Sequence, residues 1–392
     1  MKLEVSNKHV TLRIVVTAVA FVVAVIAFTI GVVSIGHKDP GYHAIEAKVD
    51  AEALLYNNAV TLKYWFDGST NEIKRGINAL TEVYTPILSA SYKQLDPHNL
   101  YTGMNGIATL NLNQGRELVV SEHLYAVLKD AYRRTLEDRG YNMFAGDLYA
   151  EWKGILILDE PEAFDPALNS AQASRIAEVA AVVSDLSNFR LEFLDDSTCT
   201  VRFSVSDAYR QFCTAYEIDS MPLDLNLLHD AYLMDWIATD LLAEGYDTGY
   251  LFTSEAQVLC LGSRGTLGYS MYTMESGRET VYASLDLEGP FSATTFTAFG
   301  MGSYYGYTLD TDSGRPLYRH MYFDVRTGTY TDVLLSATII GNDRDIIGTV
   351  YQSIILNTLP TEQETSSYAS TLDREGYLVS YVFQSTPGIA RD

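Results

Sequence analysis

Hydrophobic and polar positions repeat along this chain with two periodicities, a helical one in the first part and a strand-like one in the second. Apolar residues recur at spacings of three and four, which predicts amphipathic helices over 44–90, after Ser121, over 170–185 and over 226–244. Ser121 is typical of a helix N-cap, and Gly245 is typical of the residue that ends a helix. Within the first stretch, Gly68-Ser-Thr-Asn predicts a turn between two helices.

Strand-like segments dominate the second half of the chain. Short apolar runs bounded by turn residues predict strands over 189–194, 200–205, 249–252, 257–261, 280–286, 293–298, 303–309, 317–323 and 332–340. A helix over 343–357, a shorter helix and a last strand over 377–383 close the chain. Helices come first and strands follow with little alternation, so the predicted fold class is α+β rather than a doubly wound sheet.

The N-terminal pattern is that of a membrane anchor. No charged residue interrupts the segment from Ile14 to Gly36, and about 20 apolar residues are enough for a helix to cross a bilayer. Lys2, Lys8 and Arg13 precede the segment, which places the N-terminus in the cytoplasm by the positive-inside rule. A cleaved signal peptide is the alternative, but its apolar region is shorter, about 7–15 residues, and ends at a small-residue cleavage site.

These features divide the chain into four parts. Residues 1–13 form a cytoplasmic N-terminus, 14–36 a signal anchor that crosses the cell membrane once, 37–74 a helical juxtamembrane segment and 75–392 an extracytoplasmic domain. The lipid bilayer is therefore one predicted partner, through residues 14–36.

Composition excludes some classes of function. A hydrophobic content of 47% supports a packed core, and a net charge of −23 repels phosphate, so nucleic acid is not a predicted partner. The three cysteines, Cys199, Cys213 and Cys260, lack the C-x-x-C spacing of zinc and redox sites. An oxidising exterior permits one disulfide among them, and the sequence leaves the pairing open.

The common motifs of catalysis are missing from the sequence. It contains no P-loop, nucleophile elbow, H-E-x-x-H or G-x-G-x-x-G. Asp310-Thr-Asp312-Ser-Gly314 resembles the start of a calcium loop, but Met321 occupies the place of the final glutamate ligand. A hairpin turn is the favoured interpretation of this segment. The 28 tyrosines indicate half-buried strands rather than a stacking surface for a planar ligand.

Several segments follow one another in register between about residues 75 and 360. They are Leu88-Ser-Ala-Ser91-Tyr92 with Asn99, the helix after Ser121, Gly146-Asp-Leu148-Tyr-Ala-Glu-Trp152 preceded by Tyr141, Leu223-Asp224 through Asp235, Gly302 with Tyr304, and His320 through Gly328. In order and spacing they resemble the motifs of the FAD:protein FMN transferases, the ApbE-like family. The resemblance implies that family's fold, with helices packed on an antiparallel or mixed sheet, for residues 75–392.

The resemblance also implies a site. It assigns catalytic positions to Asp324 and His320, and flavin-cleft positions to Asp224, Tyr232, Tyr304 and Glu255. The family requires FAD and magnesium, and attaches FMN to a threonine or serine of a partner protein.

The departures from the family pattern fall on the chemistry. The family's Lys-Gly is Asp230-Ala231 here, its flavin-contacting Gly-Gly-Asp turn falls within 252–256, and its late magnesium motif aligns with 347–352, which has no carboxylate. No metal ligand is therefore predicted, although Asp343 and Asp345 lie close enough in sequence to supply a shifted site. Asp224 and Asp324 also have structural interpretations, as a helix cap near Asn226 and as a β-turn residue respectively.

The sequence therefore predicts a membrane-anchored, extracytoplasmic ApbE-like pseudoenzyme. It would bind no cofactor and act as a binding or scaffolding module beside a membrane flavoprotein or electron-transfer complex. The first alternative is a divergent FAD:protein FMN transferase, which would need FAD and magnesium. The second is an acidic surface interaction protein with no ligand.

Overall fold

The computed structural model describes residues 38–48, 59–254, 256–275, 278–299, 306–310, 314, 316–387 and 390–391. Its helices are α1 Thr70–Leu95, α2 Ile107–Leu112, α3 Glu122–Leu136, α4 Gly146–Leu156, α5 Ser170–Ser184, α6 Asp207–Tyr216, α7 His229–Ala243, α8 Ile346–Asn357 and α9 Glu362–Arg374. Short 3₁₀ turns lie at Pro161–Phe164, Leu186–Asn188 and Asn226–Leu228.

The strands are more numerous and mostly short. They are β1 Gly41–Ile45, β2 Thr61–Phe66, β3 Glu117–Val119, β4 Phe189–Asp195, β5 Thr200–Val205, β6 Gly249–Phe252, β7 Gln257–Gly262, β8 Leu267–Glu275, β9 Arg278–Leu287, β10 Phe291–Thr297, β11 Tyr307–Leu309, β12 Leu317–Arg319, β13 Leu334–Gly341, β14 Leu378–Phe383 and β15 Ala390–Arg391. Helices and antiparallel strands together confirm the predicted α+β class.

An antiparallel sheet of eight strands forms the centre of the molecule, in the order β1-β2-β6-β7-β10-β13-β14-β15. Helices α7 and α8 pack on one face, where Leu251 and Leu259 are fully buried. The hydroxyls of Ser292 on β10 and Thr349 on α8 are 2.7 Å apart on this face. Because side chains alternate along a strand, the neighbours of these residues point to the opposite face.

The β8–β9 hairpin covers part of that opposite face. Met271 of β8 packs with Cys260, Phe291, Ala293 and Ile340 of the central strands. A separate three-stranded sheet in the order β3-β5-β4 packs on Phe144, which lies just before α4 and whose ring stacks on that of Phe203 at 5.8 Å. It also contacts α3, where the ring of Tyr125 lies 5.3 Å from that of Phe193. The central sheet thus has a helix face and a hairpin face.

Local signals predicted several elements correctly. The side chain of Ser121 accepts a hydrogen bond from the amide of Leu124 and caps α3 as expected. Gly245 follows α7 with a φ of 85°, a conformation that glycine adopts without strain. Strands β11 and β12 pair antiparallel, which confirms the hairpin interpretation of the segment between them.

The helical prediction for 37–74 and 44–90 is wrong at 41–45 and 61–66, which are strands, and is confirmed from Thr70 onward, where α1 follows the predicted turn. Strands β1 and β2 pair with each other, and β2 pairs with β6, so both belong to the central sheet. In β2, Leu62 is buried while Lys63 is half-buried, which is the period of two expected of a strand. Helix α1 begins only at Thr70, after a capping box made by Ser69 and Glu72. Strand β8 was not predicted, because serine, threonine and glycine dilute its apolar pattern.

The predicted anchor over 14–36 lies outside the described residues. Within the described part, no helix is both long and apolar enough to cross a membrane. Cys199, Cys213 and Cys260 are all described, and each is a buried free thiol.

Candidate functional site

Gly146 brings two of the family-like segments into contact. It begins α4 where the chain at 221–224 crosses, and its amide donates to the carbonyl of Pro222 at 3.0 Å. A Cβ at this position would overlap the carbonyl oxygen of Met221 and lie 3.1 Å from the Cβ of Asp224. Only glycine fits, and this close approach sets Asp224 beside the N-terminus of α4.

Asp147, the next residue, also contacts the segment 220–224 that crosses the N-terminus of α4. Its buried carboxylate accepts hydrogen bonds from the Met221 amide at 2.7 Å, from the Ser220 hydroxyl at 3.1 Å and from the Tyr209 hydroxyl. Burial raises the pKa of Asp147, while these three donors favour its charged form. The sequence did not single out this residue, and its position beside a motif glycine was the only available signal.

Asp224 is the last residue of the segment 221–224, and it forms a hydrogen bond in the turn that leads into α7. Its carboxylate accepts a hydrogen bond from the Asn226 amide at 2.8 Å, and the 3₁₀ turn Asn226–Leu228 leads directly into α7. Asn226 has a φ of 51°, and its side-chain oxygen is buried without a hydrogen-bond partner. The contact agrees with the helix-capping interpretation of Asp224.

Asp324 sits in a tight turn and has a full set of local partners. Its backbone carbonyl accepts from the amides of Thr327 at 3.2 Å and Gly328 at 2.7 Å. Its carboxylate accepts from the amide of Arg326 at 3.0 Å and from two nitrogens of the same guanidinium at 2.9 and 2.8 Å. This is the β-turn arrangement, strengthened by a two-point ion pair.

Trp152 ties that turn to helix α4. Its indole nitrogen donates to the carbonyl of Gly328 at 2.9 Å. Gly328 has a φ of 70°, and a Cβ there would lie 2.5 Å from the side chain of Ile176. The tryptophan of one motif and the glycine of another are thus parts of one buried contact.

His320 is enclosed by aromatic rings. The rings of Phe296 and Tyr330 lie 4.9 and 5.0 Å from it, and its Nδ1 accepts from the amide of Tyr322 at 3.1 Å. Burial, with a smaller contribution from the charge of Arg319, lowers the pKa of His320 to about 3. The imidazole is therefore neutral near pH 7, with its proton on Nε2.

Tyr149 is a buried tyrosine that is affected by the charges of two predicted site residues. Burial raises its pKa, and the neighbouring Tyr322, Asp224 and Asp324 raise it further. Its ring packs on Phe323 at 4.6 Å. Asp224 and Asp324 therefore both lie near this buried phenol.

Of the other predicted cofactor residues, the structure describes Tyr232, and it does not join this group. Tyr232 is buried on α7, and its hydroxyl donates to the carboxylate of Asp130 on α3 at 2.8 Å. Tyr304 and Glu255 lie outside the described residues.

His229 is a site residue that the sequence did not single out. It begins α7, and its Nδ1 lies 2.9 Å from the carboxylate of Asp230. Burial lowers its pKa, but the hydrogen bond to Asp230 and the charges of Asp230, Asp224 and Asp96 outweigh burial and raise it. His229 thus places an imidazole whose charged form is favoured next to Asp230, where the family pattern has lysine.

Asp235 and Asp345 form a second acidic group on the helix side. Burial, followed by the charges of Asp345 and Asp130, raises the pKa of Asp235 to about 6, against an opposing effect of His123. The carboxylate of Asp345 also caps α8 by accepting from the Gly348 amide at 2.7 Å.

This pair meets part of the requirement for magnesium. Protein sites often bind Mg²⁺ through one or two carboxylates, with substrate phosphates and water completing the shell. Asp235 and Asp345 offer two carboxylates whose charges repel each other, which a cation would relieve. Among the described residues, no group of three or more His, Cys, Asp or Glu side chains is placed to hold a metal.

The fold and the motif contacts define an ApbE-like architecture, and solved structures match it. The ApbE protein of Thermotoga maritima superposes with a TM-score of 0.58 at 14% identity, covering 89% of this chain and 96% of that one. The flavin transferase ApbE of Vibrio cholerae gives 0.54 at 11% identity, covering 90% and 96%. No family model and no curated protein matches the sequence. The chain therefore has the ApbE-like fold, as its motifs predicted.

Proposed function

We propose that this chain is a membrane-anchored, extracytoplasmic ApbE-like domain that works as a non-catalytic binding or scaffolding module. The observation that supports the proposal is the arrangement at Asp324. Its carboxylate is held by the guanidinium and amide of Arg326, two residues away. A carboxylate held in this way is poorly placed to accept a proton from a substrate.

Two other family positions, His320 and Tyr232, support the same proposal. His320 has a pKa of about 3 among aromatic rings, far from the value that suits an acid or base near pH 7. The hydroxyl of Tyr232 donates its hydrogen bond to Asp130. The partner we propose is a membrane flavoprotein or an electron-transfer complex, which residues 14–36 would bring close by anchoring the domain in the same membrane.

The decisive experiment is a titration of the full-length chain, in detergent micelles, with FAD. Binding is followed by calorimetry and by quenching of flavin fluorescence, with and without magnesium. A magnesium concentration of about 5 mM is far above a micromolar Kd for the metal, so it would saturate such a site. We expect no magnesium-dependent binding and no transfer of FMN to an acceptor peptide. Micromolar binding that requires magnesium would overturn the proposal.

A divergent FAD:protein FMN transferase is the second candidate. Two observations favour it: the charges of Asp224 and Asp324 both reach Tyr149, and the charge of Asp345 reaches Asp235. In this candidate FAD and magnesium are cofactors, and the carboxylate pair would supply the metal's protein ligands.

Substitution of Asp324 by alanine tests the second candidate. If the chain is a transferase that uses Asp324, FAD binding or FMN transfer falls by about tenfold or more, as expected for loss of one catalytic group. The matched control is Asp219→Ala, which removes an exposed carboxylate elsewhere on the surface. Equal behaviour of both variants would remove the case for Asp324.

The acidic interaction protein remains a third candidate, and one feature favours it. The segment after α4 exposes large apolar side chains among carboxylates; they are Ile157, Leu158, Phe164 and Leu168. Clustered exposed apolar side chains are typical of interaction surfaces. Loss of partner binding in a Phe164→Ser variant of unchanged melting temperature would support this candidate.

A further inference from the structure

One corner of the folded domain lies next to the point where the chain would leave the membrane. Lys38 is the first described residue, and in the sequence it stands two residues after Gly36, the end of the predicted anchor. Two residues of extended chain span about 7 Å at most, and the headgroup layer on each side of a bilayer is about 5–8 Å thick. If residues 14–36 cross the membrane as proposed above, Lys38 therefore lies at the level of the headgroups.

Lys38 is held against the beginning of α1. Its amide donates to the hydroxyl oxygen of Thr70 at 3.4 Å, and that hydroxyl donates to the carbonyl of Lys38 at 3.2 Å. Thr70 is the first residue of α1, whose start is fixed by the capping box of Ser69 and Glu72. These contacts place the first turn of α1 beside the membrane as well, with one residue, His37, between the predicted anchor and Lys38.

The ends of three strands meet at the same corner. Gly41 pairs with Phe66 and Tyr42 with Trp65, so β1 begins where β2 ends. The loop after β7 joins them, because the amide of Arg264 donates to the hydroxyl of Tyr42 at 3.1 Å. We call the surface at this corner the tether surface; it is formed by Lys38, Tyr42, Trp65, Asp67, Thr70 and Arg264.

Two aromatic side chains give the tether surface the chemistry of a membrane interface. The rings of Tyr42 and Trp65 lie 5.1 Å apart, edge to face, and both residues are half-buried. The indole nitrogen of Trp65 donates to Asp67 at 2.8 Å, and the carboxylate of Asp67 lies 3.7 Å from the guanidinium of Arg264. Tryptophan and tyrosine are enriched at the membrane–water interface, because the apolar ring and the polar group each meet a suitable environment there. The pair is therefore suited to the headgroup layer.

The charge around the tether surface differs from that of the chain as a whole. The chain has 27 basic and 50 acidic residues, and such an excess of carboxylates is repelled by anionic headgroups. At the tether surface and the first turns of α1 this excess is absent among the described residues 38–39, 67–75 and 264, which contain Lys38, Lys74, Arg75 and Arg264 against Asp39, Asp67 and Glu72. The local balance of charge allows this corner to approach a bilayer.

We propose that the tether surface contacts the outer headgroup layer of the membrane, with the rings of Tyr42 and Trp65 among the headgroups. The proposal rests on the anchor at 14–36, and adds to it a fixed orientation of the folded domain. Helix α1 then leads away from the membrane, and its 26 residues extend about 39 Å from Thr70. Leu100, which is exposed just beyond the end of α1, faces away from the bilayer.

Trp65 is a natural probe for this contact. The chain has three tryptophans, and the other two, Trp152 and Trp236, are buried. The full-length chain is reconstituted in phosphatidylcholine vesicles with or without bromine on acyl carbons close to the headgroup, which quenches tryptophan fluorescence on contact. We expect brominated lipid to reduce the emission by about a third, the share of one tryptophan in three, and Trp65→Phe to abolish the reduction.

Moving the tryptophan tests the orientation of the domain. A Trp65→Phe/Asn71→Trp variant, with the new side chain in the first turn of α1, should be quenched by brominated lipid. The matched control is Trp65→Phe/Leu100→Trp, which places the side chain at an equally exposed position beyond the other end of α1 and should not be quenched. Equal quenching of the two variants would overturn the proposed orientation.

Extraction of the vesicles with alkaline carbonate separates failure of the anchor from failure of the tether surface. A chain that carbonate removes from the vesicles has no membrane anchor, which would overturn the anchor and this proposal together. A chain that stays in the vesicles, but whose Trp65 emission is the same in both lipids, keeps the anchor and overturns the tether surface alone.

Discussion

At the scale of single residues, charge and burial decide which side chains are free to do chemistry. Asp324 and Asp235 both occupy family positions, yet their surroundings differ. Asp324 is neutralised by Arg326, whereas Asp235 faces the charges of Asp345 and Asp130. The pair of Asp324 and Arg326 is local, two residues apart, whereas the charges around Asp235 depend on which helices pack together.

Asp235→Asn should make the protein more stable above pH 6. The pKa of Asp235 is raised to about 6 from 3.8, so its contribution to stability is present below pH 3.8 and is lost as the pH rises through 6. Asparagine avoids the cost of ionisation, which we expect to amount to about 1–3 kcal/mol at pH 8. Thermal unfolding in detergent micelles at pH 4 and pH 8 measures the difference.

The exposed Asp219 provides the control for this prediction. Asp219→Asn should change the melting temperature equally little at both pH values. A variant of Asp235 that is less stable than the wild type at pH 8 would contradict the prediction. If magnesium occupies Asp235 and Asp345, the metal should stabilise the wild type at pH 8 but not the Asp235→Asn variant.

The pKa values of the two half-buried histidines, His229 and His320, should be shifted in opposite directions. The carboxylates around His229 raise its pKa, whereas burial lowers the pKa of His320 to about 3. Proton NMR of the imidazole C–H signals should therefore detect His229 charging above pH 6.5 and His320 staying neutral at pH 4.5. His229→Gln and His320→Gln variants assign the signals, and charging of His320 between pH 5 and 7 would contradict its enclosure by the aromatic rings.

At the scale of elements, glycines mark where segments touch. Gly146 and Gly154 lie on the same helix, α4, and have opposite surroundings. A Cβ at Gly146 would lie 2.9 Å from the carbonyl oxygen of Pro222 and would overlap that of Met221, whereas one at Gly154 would meet nothing within 4 Å. Substituting Gly146 and Gly154 in turn therefore distinguishes the effect of close backbone approach from the effect of helix propensity.

Gly146→Ala should destabilise the fold by about 1–3 kcal/mol, because the backbone at 221–224 must move away. Gly154→Ala should stabilise it by up to about 1 kcal/mol, since alanine is the better helix former. Urea unfolding of both variants in detergent micelles measures the two changes. A Gly146→Ala variant with an unchanged free energy of unfolding would mean that the segment 221–224 is not tightly packed against α4.

Elements were predictable where their signals were local. The Ser121 cap, the end of α7 at Gly245 and the β11–β12 hairpin each depend on a few adjacent residues. Strand β2 was mistaken for helix because its six residues gain their stability from pairing with β1 and β6. Such pairing lies outside any sequence window.

At the scale of the whole molecule, the open proposal is its placement across the membrane. Only the sequence supports the anchor at 14–36, through its lack of charge and the basic residues before it. The domain that follows would then face the exterior, beside partners held in the same bilayer.

Protease protection tests this topology. In intact cells or right-side-out vesicles, added protease should digest the domain beyond residue 37 but leave an N-terminal tag on residues 1–13 protected. The control is permeabilisation with detergent, after which the tag should also be digested. Protection of the domain in intact vesicles, or release of the domain as a soluble processed form, would contradict a signal anchor with this orientation.

The sequence by itself determined the α+β class, most of the elements and the order of the family-like motifs, since these depend on local periodicity and spacing. Only the tertiary structure decided what the motif residues do. It joined Trp152 to Gly328 and placed Asp224 and Asp324 near Tyr149. These residues lie far apart in the chain, so the packing of the elements, and not a local pattern, brings them together.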